Sequence, residues 1–246
     1  MRELDELLLQ SGNDVPFGPA QVTIHNPRLN EIAFIGEDNF HNGIHFLNFD
    51  KSRLSVEDKS DLTERDNFDI FMSMINDSRL AKYKVSALMV LALLFPQHKI
   101  KIEKDQILLQ LENFSSTLNK INYEEFKEVL QQMFCLNFSA DGGQDSYNPQ
   151  DALAAKIAEK IKKGKEKRQK AKGEKGKISV YAHYVSVLSI GLKKDKNELM
   201  NYTVYQIRDE MTRFQLKEAF DMNIKARLAG AKDVEEVDNW MKELHP

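Results

Sequence analysis

A single cysteine, Cys135, stands in a chain of 246 residues, so no internal disulfide can form. Its neighbours Met133, Phe134, Leu136 and Phe138 are apolar, which reads as a small buried hydrophobe rather than a reactive thiol. Long apolar runs are missing as well. The longest near-continuous one, residues 85–95, covers eleven residues and ends at Pro96, whereas a membrane-spanning helix needs about 20. That run is expected to form a helix buried on most of its faces. The opening residues, MRELDELLLQ, place acids where a secretory signal has bases, so neither a signal segment nor a membrane anchor is expected. There is no internal repeat. No Ser, His and Asp arrangement stands out, and nothing in the chain argues for an enzyme.

What is present is charge, unevenly placed. Residues 156–177 read KIAEKIKKGKEKRQKAKGEKGK, with 11 Lys/Arg and 3 Glu, a net of +8. The whole chain carries −3, leaving −11 for everything else. A charge block punctuated by Gly164, Gly173 and Gly176 reads as a solvated helix running into a flexible connector. At 41% hydrophobic and 30% charged residues, the remainder has the composition of a globular protein.

The pattern along the chain predicts a mainly α protein with a minor β component. A mixed, mostly helical α+β N-terminal domain is expected over residues 1–145, a basic helix and hinge over 146–177, and a helical C-terminal domain over 178–246, with the two halves separable. Val22, Thr23 and Ile24 form a β-prone stretch. Asn26-Pro27 looks like a helix start, with Leu29, Ile32, Ala33 and Ile35 at near-helical spacing and Gly36 as the stop. Phe40, Ile44 and Leu47 share a face of a second helix, and residues 48–62 read as a loop. Thr63 to Asp66 resembles a capping box for a helix burying Phe68, Phe71, Met72 and Ile75. Alternation over residues 100–111 predicts a hairpin. Asn122 precedes the stripe Phe126, Val129, Leu130, Met133 and Phe134. ADGGQDSY, residues 140–147, is a turn-rich linker. Beyond it, Ile178, Tyr181, Ala182, Val185 and Leu188 mark one helix, Asp195 caps a short one, and Thr203 caps a long one with Ile207, Met211, Phe214, Phe220, Ile224 and Leu228 inside. Val234, Val237, Trp240, Met241 and Leu244 make an amphipathic terminal segment.

Two motifs invite a chemical reading and fail it. His41 and His45 stand four apart in HNGIH, but Asn42 occupies the place where a metalloprotease has glutamate. The structural reading, two polar or partly buried histidines, is preferred. Gly176-Lys177 is followed by Ile178 rather than Ser or Thr, so it is not a phosphate loop. No catalytic residue, metal ligand or cofactor is therefore expected. The lysine run remains as a binding candidate through Lys162, Lys163, Lys165, Lys167 and Arg168. Such a tract releases counterions from nucleic acid, but it holds no aromatic residue for base stacking and is richer in lysine than arginine. Any nucleic-acid contact would be weak and nonspecific. Docking to an acidic protein is the other use. Trp240 and Met241 are the candidate anchors for a partner, against packing on the chain's own core.

From residue 148 onward the chain resembles a family of phage proteins. The matching pattern is Asn148-Pro149, AKIAEKIKKGK at 155–165, the apolar helix ending at Gly191, RLAG at 227–230 and Asn239-Trp240-Met241. EIAFIG at 31–36 is similar to the opening of the same proteins. They are tail-module proteins of long-tailed phages and prophages of Gram-positive bacteria, comparable to tail assembly chaperones encoded near the tape-measure protein. The resemblance implies a non-enzymatic role in tail morphogenesis, a phage tail protein as partner with the tape-measure protein as candidate, and action in the bacterial host cytoplasm during assembly. The rival expectation is a phage protein that binds nucleic acid nonspecifically through residues 156–177.

Overall fold

The computed structural model describes residues 4–51, 65–136, 179–231 and 239–241. The chain is mainly helical, with two small antiparallel sheets in its N-terminal part and a helical C-terminal part. Helix α1 (Glu6–Ser11) starts where Asp5 accepts the Leu7 N–H and stops at Gly12, whose φ is 68°. Strand β1 (Val15–Phe17) pairs antiparallel with β2 (Val22–Ile24), Val15 opposite Ile24. Helix α2 (Leu29–Ile35) ends at Gly36, where a φ of 87° turns the chain into α3 (Glu37–Leu47). Such a φ suits glycine, which lacks a Cβ.

Helix α2 begins later than Asn26-Pro27 predicts. Asn26, in the loop after β2, is buried and its N–H donates to Asp14 in the loop after α1, so it is held there rather than capping α2. Glu31 takes over the cap by accepting the Arg28 N–H at 2.7 Å. Of the predicted apolar positions in α2, Ala33 is exposed. In α3, Phe40, Ile44 and Leu47 are buried as expected.

Helix α4 (Asn67–Ile75) is capped by Asp66, which accepts the Asp69 N–H; Thr63 lies outside the described residues. Its Phe68, Phe71, Met72 and Ile75 are buried. Helix α5 (Ala81–Leu94) departs from expectation. Ser86, Ala87, Val90, Leu91 and Leu94 are buried, while Val85 and Met89 are exposed. An even spread of apolar residues around a helix does not say that every side has a partner.

The predicted hairpin is present and has a third member. β3 (Lys99–Ile102), β4 (Ile107–Leu111) and β5 (Phe114–Leu118) form an antiparallel sheet in that order, with Ile100 opposite Leu109 and Leu109 opposite Ser116. Ser115, Ser116 and Thr117 gave β5 too little apolar alternation to be seen. Helix α6 (Tyr123–Met133) buries Phe126, Val129, Leu130 and Met133, with Phe134 buried just after it. Asn122 does not cap it by its side chain. Instead it accepts the Asn119 N–H and donates to the Thr117 carbonyl, closing the turn from β5.

Three helices follow: α7 (Val180–Gly191), α8 (Lys196–Met200) and α9 (Val204–Leu228). Ser179, Asp195 and Thr203 cap them, and Thr203 and Gln206 form a reciprocal capping box. Tyr181, Val185 and Leu188 are buried, but Ala182 faces out and Ile178 is outside the described residues. In α9 only the first turns are buried, through Val204, Tyr205, Ile207 and Met211. Phe214 is partly buried, Ile224 and Leu228 are exposed, and so the predicted inward stripe ends halfway along.

The helices α7–α9 share one continuous core with the N-terminal part. Aromatic rings fill its middle. Phe126 lies 6.0 Å from Phe17 and 6.2 Å from Phe95, and Tyr123 lies 5.1 Å from Phe68 and 5.2 Å from Phe71. The buried Tyr123 hydroxyl donates to the Leu47 carbonyl at 2.8 Å, as a buried phenol requires. Polar bonds join the C-terminal helices to the rest. Leu29 N–H donates to Tyr202 O, Val180 N–H to Glu37 Oε1, Gln206 Nε2 to Gln10 O, and Arg208 Nη1 to Cys135 O, all within 3.1 Å.

Candidate functional site

The residues with the strongest chemistry serve packing. Lys127 is buried, with Nζ 2.9 Å from Glu124 Oε2 and 3.3 Å from Asp50 Oδ2, and 5.7 Å from the Tyr123 ring centre. Such a cation ties α6 to the end of α3 rather than facing a cleft. His25 spans two carboxylates, Nδ1 2.8 Å from Asp14 Oδ1 and Nε2 3.1 Å from Glu31 Oε1, which pins the start of α2 to the loop after α1. Burial pushes the Cys135 thiol up to about 11 and the Tyr205 phenol up to about 12, so both stay protonated at neutral pH. Among the described residues, no group of three or more His, Cys, Asp or Glu is placed to hold a metal ion. His41 stacks on Tyr181 at 5.5 Å, 17° from parallel, and lies 3.5 Å from Glu37, while His45 is exposed. His41 is thus engaged with Tyr181 and Glu37.

The remaining feature is an apolar surface. Leu29 and Ile32 bury one side of α2, which turns Phe34 outward at 92% exposure. Phe34 and Ile35 line an open concavity of ≈ 400 Å³ together with Asn30, Glu31 and Leu93. Leu93 belongs to α5, where Val85, Met89 and Leu93 repeat at i, i+4 and i+8 and form one ridge along the helix. Val85 and Met89 are exposed, and Leu93 is partly buried. Tyr83, also exposed, stacks on the core residue Phe46 at 6.2 Å. Lys82, three residues before Val85, shares its face of the helix and is exposed. Glu31 stands at the opposite end, in the concavity. The surface is therefore an apolar strip with a cation at one end and an anion at the other. It suits a helix laid along it by ridge-into-groove contact.

Lys162, Lys163, Lys165, Lys167 and Arg168 lie outside the described residues. Trp240 is half-buried, and Met241 is 66% exposed. Sequence reasoning passed over Phe34, Val85 and Met89. Phe34 did carry a signal: a large aromatic off the Leu29–Ile32 face of a short helix has nothing on its own chain to bury it.

Residues 181–245 match the family model described as the YomV second domain. That family is phage-derived, which bears out the phage character of the resemblance and places α7–α9 in a recognised unit. No curated protein and no solved structure matches the chain. No helix among the described residues is long and apolar enough to cross a membrane.

Proposed function

We propose that this chain is a non-enzymatic phage morphogenesis protein of the tail-assembly-chaperone kind, which binds a helical tail protein in the host cytoplasm before the tube polymerises. The tape-measure protein is the candidate partner. The observation that carries this reading is the strip of exposed Phe34, Met89 and Val85 with the partly buried Leu93 among them. A tail protein rich in apolar helical stripes needs a soluble escort, and a ridge flanked by Lys82 and Glu31 receives one amphipathic helix in one direction. The match at residues 181–245 supports the phage setting.

Co-expression tests it. A helical segment of the tape-measure protein, insoluble alone, should become soluble and co-purify with the chain. Phe34→Asp combined with Met89→Asp should abolish that rescue while leaving the melting temperature unchanged. Rescue that survives the double substitution would remove the strip from the proposal, and failure of every tail protein to co-purify would remove the escort role. The lysine run supports a second reading. A +8 tract at 156–177 favours a phage protein that binds nucleic acid nonspecifically.

A further inference from the structure

From Val85 to Leu94, α5 holds one polar residue, Ser86. A helix that is apolar all round has the composition of one covered all round. Ser86, Ala87, Val90, Leu91 and Leu94 bury one side in the core. On the other side Val85, Leu88, Met89 and Ala92 follow at i, i+3, i+4 and i+7, the spacing of a helix-packing seam. Val85, Met89 and Ala92 are exposed and Leu88 is partly buried. We infer that this seam pairs with the same seam of a second copy, antiparallel about a twofold axis between Leu88 and Met89.

Charge selects both the occupant and its direction. Lys82 is exposed at the start of α5. Glu31 stands at the other end of the strip, lining the concavity with Leu93. Its carboxylate is held in place by His25 and the Arg28 N–H, yet stays 37% exposed. At 100° per residue, Lys82 and Leu93 fall on the same flank of the seam, about 16 Å apart along the axis. Antiparallel helices set like flanks against one another, so Lys82 of each copy comes over the concavity and Glu31 of the other. A strip with a cation at one end and an anion at the other is its own complement under a twofold axis, and the pair of contacts is made twice. A parallel arrangement would instead set Lys82 against Lys82.

Shape agrees with charge. The antiparallel register puts Val85 of one copy opposite Ala92 of the other, a larger side chain against a small one, and Leu88 opposite Met89. In the parallel register Ala92 would meet Ala92 and leave a gap, which close packing disfavours. The seam runs for about four turns of one helix, which is small for a protein interface. The dimer therefore comes apart on dilution, and melting temperatures read on dilute protein do not register it. While it lasts, the second copy covers the strip that the escort reading gives to a tail-protein helix, so the two occupants exclude one another.

Light scattering of the full chain at low salt should show the mass rise from one chain to two as concentration increases. Met89→Glu places a charge beside the axis and should leave only monomer over the same range, with far-UV circular dichroism unchanged. Lys82→Glu sets a carboxylate against Glu31 at both ends and should weaken the pairing about tenfold. Cysteine cross-linking reads the register and also answers the case in which Met89→Glu fails to fold. Val85→Cys chains mixed with Ala92→Cys chains should form a disulfide-linked pair under mild oxidation, and neither variant should do so alone. The Cys135 thiol, protonated at neutral pH, does not compete. Monomer at every concentration of the wild type would overturn the inference, as would a mass that climbs past two chains. Pairing that ignores Met89→Glu or Lys82→Glu, or a cross-link in either cysteine variant alone, would overturn it as well. The assay contains no tail protein, so its outcome is separate from that of the co-expression test.

Discussion

Gly43 of α3 packs directly on the backbone of Ser86 in α5. A Cβ at position 43 would stand 2.6 Å from Val90 Cγ2, and closer still to the Ser86 carbonyl oxygen. Neither the carbonyl nor its helix can step aside, so Gly43 sets how near the two helices approach. Alanine would gain about 1 kcal/mol of helix propensity over glycine. Overpacking against backbone costs about 3 kcal/mol, and the second effect wins. Gly43→Ala is therefore expected to lower stability by about 2 kcal/mol, measured as a fall in the denaturation midpoint. An unchanged or raised midpoint would show that α3 and α5 can part without loss.

That contact also shows what a sequence holds and withholds. The helices around Gly43 were legible because Phe40, Ile44 and Leu47 recur at helical spacing, and each is buried. The glycine itself read only as a weak point in a helix, since a close approach depends on a residue more than forty positions away. Capping was legible where one residue does the work, as at Asp195 and Thr203. It was missed where a tertiary contact decides, as at Asn26, which is held by Asp14. The apolar strip was half visible. Val85 and Met89 were read as apolar, but periodicity says which residues share a face and not whether anything covers it. The basic residues of 162–168 stand out by charge alone, and they lie outside the described residues.

Phe34 and Ile32 should respond oppositely to truncation. Phe34 is 92% exposed and Ile32 is 1% exposed, although they sit two positions apart on one short helix. Phe34→Ser should change the melting temperature little, because exposed sites away from special features stay within about 0.5 kcal/mol. Ile32→Ala should cost about 2–4 kcal/mol by opening a cavity. Comparable losses at both positions would mean that Phe34 is covered in solution.

Alkali should loosen the seat of α9. The Cys135 thiol rises from an ordinary 9.0 to about 11, and the Tyr205 phenol from 10.0 to about 12, in both cases chiefly through burial. The folded chain holds these protons more tightly than the unfolded chain. Their contribution to stability is complete below about pH 9 and is lost as pH climbs from 9 to about 12. Arg208, which donates to the Cys135 carbonyl, lies on the same helix as Tyr205. Denaturation midpoints should thus be flat near neutrality and fall steeply above pH 9. Cys135→Ala should flatten the first part of that fall, and a profile identical to the wild type would remove Cys135 from the account.

The lysine run should be the first site of tryptic cleavage, between Lys162 and Lys177, because cleavable residues are densest there and apolar ones scarce. The products should nevertheless stay together. Tyr181, Val185, Leu188 and Ile207 lie in the same core as Ile32, Phe40 and Phe134, and separating the pieces would expose all of them to water. The nicked protein is expected to elute from gel filtration as one species and to separate only in denaturant. Two native peaks after cleavage would indicate that residues 1–145 and 178–246 fold as independent units. Early cuts elsewhere, with 162–177 protected, would mean that the run is covered.

Salt separates the two functional readings. Nucleic-acid binding through Lys162, Lys163, Lys165, Lys167 and Arg168 rests on counterion release, so its logarithm should fall linearly with the logarithm of salt concentration. The slope for duplex DNA is about −0.9 for each phosphate neutralised, so replacing all five residues by glutamine should flatten it by up to about 4.5. Base identity should not matter, because lysine without aromatic partners gives no readout of base edges. Capture of a tail-protein helix by Phe34, Met89 and Val85 is apolar and should persist in the same high salt. Binding isotherms for duplex DNA and for the helical segment, taken across a salt series with the wild type and the five-fold glutamine variant, distinguish them. Tight DNA binding that survives high salt, or that prefers one sequence, would reverse the order in which the two functions are proposed here.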